Sequence, residues 1–165
     1  MRFITAIEHA AAWLAAVLFV LTGLFLSYEV VARYFFNAPT IWAAELSQLC
    51  LIWGGLISMA WVLGARRHIR INAVTVRLQS RARAAAEAFS MAVVALFSAI
   101  VLWYGFGIAW DSLERGRTSG TMLDLPAWWA EAAVPVGFLM LLVVAVRECI
   151  NALRGQVPET GAHLE

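Results

Sequence analysis

An all-α integral membrane protein with four spans is the fold class this sequence predicts, and three observations carry the prediction. The 165 residues are 62% hydrophobic and 14% charged, whereas a soluble domain of this size carries about a quarter charged residues. Mean hydropathy is +0.77, so apolar side chains point in every direction rather than along one face, as lipid solvation allows. Four apolar stretches reach the roughly 20 residues that a helix needs to cross a bilayer, and no alternating strand pattern competes with them.

The first span, residues 10–32, reads "AAAWLAAVLFVLTGLFLSYEVVA". It exceeds an ordinary signal-peptide core, and Glu8 offsets Arg2 ahead of it, so the segment is read as a retained anchor. The break "NAP" follows, where Asn37 and Pro39 end one helix and let the chain turn back. The second span covers residues 46–65. After it comes "RRHIRINAVTVRLQSRAR", with Arg66, Arg67, Arg70, Arg77, Arg81 and Arg83 and no acid before Glu87. Short arginine-rich loops stay in the cytoplasm, so this loop between the second and third helices is assigned inside, and both termini with it. Its alternation of apolar and basic residues also suits a segment lying along anionic lipid. The third span covers 88–110. The fourth, 127–146, holds Glu131 and Pro135 in its first half. Residues 1–155 are read as a single four-helix membrane domain and 156–165 as a polar, disordered tail.

The charged residues near the spans are the candidates for function. Glu29 and Arg33 lie four apart and stack on one helix face. Glu45 opens the second span, so the three share one membrane border, with Trp42 as an interfacial anchor. A carboxylate in lipid is costly and usually kept for use, which makes a proton or cation site one reading. A boundary cluster pinning the first hairpin is the other and is preferred, because Arg33 can neutralise either acid and let Glu45 stay charged. In the loop 111–124, Arg115 and Arg117 balance Asp111, Glu114 and Asp124, and Asp111 and Glu114 are taken as loop solvation. Trp53 and Trp61, eight apart, share a face of the second span. Gly54–Ser58, Ala60–Gly64 and Gly105–Ala109 follow the spacing that lets helices approach closely.

Several classes are not expected. A net charge of +1 gives no general attraction to nucleic acid. Cys50 and Cys149 form no metal motif and are taken as free thiols. His68 has no ligand neighbour at helical spacing, and no span contains a histidine for haem. No phosphate loop, catalytic triad or zinc-protease motif occurs, so neither an enzyme nor a bound cofactor or metal is expected.

Taken together, "VVARYFFNAPTIWAAELSQL" and "GGLISMAWVLGARRHIRINAV" resemble the small membrane subunit, DctQ type, of tripartite ATP-independent periplasmic (TRAP) transporters. The shared pattern is an arginine ending the first helix, an Asn/Pro turn, Trp-x-x-Glu opening the second, and a His-Ile pair in the cytoplasmic loop. Here these are Arg33, Asn37, Pro39, Trp42, Glu45, His68 and Ile69. "RTSGTMLDLPAWWAEAAVPVGF" is similar to the family's entry into its fourth helix. The sequence departs from the pattern at Arg67 and Asn72, where the family often has a glycine and an acid.

The resemblance implies a scaffold subunit in the bacterial inner membrane. Its partners would be a large membrane subunit that couples transport to sodium, a periplasmic substrate-binding protein, and membrane lipids. Arg33, Trp42 and Glu45 would stabilise the first hairpin. Arg66, Arg67 and His68 would be interface residues, and Arg115 and Arg117 would lie on a docking surface for the binding protein. The transported organic acid is not legible. A rival reading is a self-assembling proton-coupled exporter with Glu29 as its exchange site.

Overall fold

A computed structural model of the protein describes residues 2–64 and 80–154. Five helices occur among them: α1 (Arg2–Phe35), α2 (Trp42–Gly64), α3 (Ser80–Glu114), α4 (Trp128–Glu131) and α5 (Ala133–Leu153). Four helical stretches are long and apolar enough to cross a membrane: Ala6–Phe35, Trp42–Gly64, Ala84–Glu114 and Trp128–Leu153. The all-α, four-span expectation therefore holds. The arginine-rich loop, with Arg66, Arg67 and His68, and the tail lie outside the described residues.

Helices α1 and α3 overrun their expected ends. At 1.5 Å per residue, the 34 residues of α1 extend about 50 Å, well beyond a hydrocarbon core of about 30 Å. The apolar run marks where lipid ends, not where the helix does. One consequence corrects the reading of loop 111–124: Asp111 and Glu114 belong to the last turns of α3, and the loop proper begins at Arg115.

The fourth span is also not continuous, because Pro135 sits in it. Proline has no N–H to give the carbonyl four residues back, here that of Glu131. The chain accordingly completes the short α4, with Ala132 N–H bonded to the Trp128 carbonyl at 2.9 Å. It then restarts as α5 with Pro135 in the first turn, where a missing N–H costs nothing.

The helices pack in a row rather than a closed bundle. α1 packs on α2, α2 on α5, and α5 on α3. The buried positions of α1 explain its place at one edge. Glu8, Ala11, Ala15, Thr22, Glu29 and Ala32 are buried, with Leu18 and Phe25 half-buried between them. Steps alternating three and four make one narrow seam, which serves a single neighbour. α3, at the other edge, repeats the device through Ala88, Met91, Ser98, Gly105 and Ser112.

The two middle helices supply the core, with Ala60 and Leu63 from α2 meeting Leu141, Val144 and Ala145 from α5 and Met91 from α3. Small residues set how closely they approach. A Cβ on Gly137 would fall 2.8 Å from Leu56 Cβ and 2.9 Å from the Leu56 carbonyl oxygen, so α2 and α5 meet there almost backbone to backbone. The glycine of each of the three small-residue spacings lies close to another helix. Gly54 contacts α1 at Ala15 and Leu18, Gly105 meets Val134, and Gly64 faces the Glu8 carboxylate.

Candidate functional site

The end of the bundle that carries the 36–41 turn is built around Glu29. Helix α1 stops at Phe35, and Asn37 enters the left-handed region at φ 48°, which asparagine tolerates better than most residues. The Ala38 N–H closes the turn on the Ala32 carbonyl at 3.0 Å. Glu29 is buried on the α1 seam. Its Oε1 accepts from Arg33 Nη2 at 2.5 Å and Nε at 3.1 Å. Its Oε2 accepts from the Thr40 N–H at 3.0 Å and from the Thr40 hydroxyl. One carboxylate thus ties the last turn of α1 to the segment entering α2. Trp42 completes the corner, stacking on Tyr28 and meeting Phe25 edge-on, with centroids 5.7 and 5.6 Å apart.

Glu45 does not join this cluster. Arg33 is engaged by Glu29, and Glu45 turns towards the other hairpin, where its Oε1 accepts from the Leu123 N–H at 3.1 Å. The expectation that Arg33 neutralises Glu45 is corrected accordingly. The segment it holds is a compact hairpin-like loop. Ser119 N–H bonds the Leu125 carbonyl at 2.8 Å, Ala127 N–H bonds the Arg117 carbonyl at 2.9 Å, and Thr118 and Pro126 form an antiparallel bridge. Gly116, Gly120 and Asp124 take left-handed φ values of 58°, 64° and 52° at its turns.

Arg115 and Arg117 both converge on Asp111, Arg115 through Nε at 2.6 Å. Glu114 accepts from the Trp110 indole at 2.8 Å. The short α4 just after the loop meets the second span where the Trp53 indole donates to the Trp129 carbonyl at 2.8 Å. Just beneath, an apolar groove of about 360 Å³ runs between Phe106 and Trp110 of α3 and Trp128, Pro135 and Leu139 of the last span.

The opposite end carries a cluster that sequence reasoning missed. Arg147 Nη1 lies 2.8 Å from Glu8 Oε1, and its Nη2 lies 3.0 Å from Glu148 Oε1. Both acids are buried. With Gly64 against the Glu8 carboxylate, the group joins α1, α2 and α5. Its sequence signal was available: Glu8 and Glu29 fall 21 residues apart, three heptads, on one stripe with Ala15 and Thr22, so Glu8 was never on an outer face. Among the described residues no group of three or more metal-ligating side chains assembles.

The model of the DctQ component of tripartite ATP-independent periplasmic transporters matches residues 22–155. The chain belongs to the DctQ family. The match takes in the C-terminal part of α1 from Thr22 on and all of α2 to α5, and so the Glu29 corner and the loop 115–127, while Glu8 lies ahead of it. A DctQ relative, the sialic acid TRAP transporter small permease protein of Vibrio cholerae serotype O1, is 22% identical over 143 residues, covering 86% of this chain and 77% of its own. This protein is therefore a multi-pass membrane protein of a transporter-subunit family.

Proposed function

We propose that this DctQ protein is the scaffold subunit of a TRAP-type secondary transporter. It pairs with a large membrane subunit that takes up an organic acid with sodium, the acid being delivered by a periplasmic binding protein. The observation that carries the reading is the family match over residues 22–155. The architecture supports it. A row of helices leaves broad apolar faces without a partner among the described residues, with Trp103 and Trp13 each about three-quarters exposed or more. Faces of that size suit lipid and a larger helical neighbour. An organic acid is the substrate class because the Vibrio relative is named for sialic acid.

We take the protein to lie in the bacterial inner membrane, with both termini cytoplasmic by the positive-inside argument. The turn 36–41 and the loop 115–127 then face the periplasm, where Arg115 and Arg117 are offered to the binding protein. Against the exporter reading stands the coordination of Glu29, whose two oxygens already accept four donors. A proton-exchange site needs a carboxylate that substrate can reach.

Mild-detergent purification of the tagged chain from its native membranes, followed by mass spectrometry, tests the proposal. A many-helix membrane protein at equal stoichiometry is the expected companion. A homodimer with no such companion overturns the reading.

A further inference from the structure

Glu45 is left with an unbalanced charge, and that charge faces a cavity. Its Oε1 accepts from the Leu123 N–H, while its Oε2 is buried with no hydrogen-bond partner among the described residues. The nearby arginines are engaged elsewhere, Arg33 with Glu29 and both Arg115 and Arg117 with Asp111. Glu45 lies in the first turn of α2, at the rim of the cavity. Glu45 is half-buried, and a carboxylate oxygen screened from water without a donor is costly unless a cation or an N–H meets it.

The cavity that it lines holds about 150 Å³ beneath the loop, with Gln48, Ser119, Thr121, Leu125 and Trp129 among its walls. That volume is far larger than a bare metal ion needs. The wall combines one carboxylate with an amide and two hydroxyls, all able to accept hydrogen bonds, and sets them beside aliphatic and aromatic surface. An ammonium group has three N–H donors and no acceptor, and a short carbon stem behind it would suit the apolar wall.

We propose that this pocket binds a primary ammonium group carried on a short apolar stem, with Glu45 as its counter-ion. The group comes from a free amine or from the headgroup of an aminophospholipid, since the pocket opens at the membrane border. The site does not depend on the transport reading and stands or falls without it.

The test uses the full chain in phosphatidylcholine nanodiscs, a bilayer without primary amines. The thermal midpoint is followed against n-propylammonium chloride, with equimolar sodium chloride and tetramethylammonium chloride as references. A saturable rise of about 5 °C is expected for propylammonium alone. Glu45→Gln keeps an acceptor for Leu123 and should weaken the apparent affinity at least about tenfold, as loss of a charged acceptor does. Thr121→Val, on the exposed loop, should weaken it less.

An equal response to all three salts overturns the proposal. So does an unchanged response in Glu45→Gln, or no response in the wild type. Phosphatidylethanolamine nanodiscs then separate the two sources. If the wild type gains the rise without added amine, Glu45→Gln does not, and propylammonium adds nothing further, the headgroup is the ligand. If propylammonium adds the same rise in both bilayers, the ligand is a free amine.

Discussion

Replacing Gly137 by alanine tests whether the central seam is set by backbone contact. The new Cβ would sit 2.8 Å from Leu56 Cβ and 2.9 Å from the Leu56 carbonyl oxygen, where ordinary contact begins at 3.4 Å. Neither atom belongs to the far end of a flexible side chain, so α2 and α5 must part by about 0.5 Å or tilt. Overpacking of this kind costs about 1–3 kcal/mol. Alanine's better helix propensity returns about 0.5–1 kcal/mol of that. A net loss of roughly 1–2 kcal/mol lowers the melting midpoint by about 2–8 °C in a chain of this size.

The assay is thermal unfolding of the purified protein in detergent, with Gly107→Ala in parallel. Gly107 lies in α3 with nothing within 4 Å of its Cβ position, so that variant carries the propensity gain without the clash. Gly137→Ala melting at or above Gly107→Ala would refute the close-approach argument.

Other expectations concern the charged clusters and the loop. Arg147→Leu leaves the buried Glu8 and Glu148 without their shared cation and should destabilise by about 3–5 kcal/mol; adding Glu8→Gln should recover part of the loss, read by the same melting assay. Glu29→Gln should lower the midpoint clearly more than Glu114→Gln, whose carboxylate is exposed, and equal effects would remove Glu29 as the tie between α1 and α2. Trp53→Phe removes the bond to the Trp129 carbonyl and should cost about 1 kcal/mol, with faster proteolysis of the loop 115–127 as a second readout. Reversing charge at Arg117 should reduce binding-protein-dependent uptake in membranes that contain the partner subunits, and unchanged uptake would remove the docking role.

Local patterns were readable before the structure; distant pairings were not. Four spans follow from apolar runs, the corner from Asn37 and Pro39, and the Glu29–Arg33 pair from its four-residue step, because each lies within a turn or two of helix. Glu45 is different. Its partner is a backbone N–H 78 residues away, and an amide carries no residue-specific signature. Arg147 pairs with Glu8 at the far end of the chain, and only the seven-residue stripe on α1 marks Glu8 as inward. Gly137 sits inside the fourth apolar run, 127–146, and belongs to none of the small-residue spacings singled out. What makes it matter is Leu56 on another helix, which no local pattern contains.

The row arrangement also dictates an order of assembly in the membrane. The seam between α1 and α2 joins consecutive spans and can close as soon as residue 64 has left the ribosome. The other well-packed seams all draw on residues 128–153, the last apolar segment to be made. Until then α2 must keep Ala60, Leu63 and the Leu56 backbone turned to lipid, and α3 has no helix to lie against. The final span therefore acts as a keystone. A chain cut after Glu114 would insert its first hairpin and leave its third helix adrift in the bilayer, open to quality-control proteases.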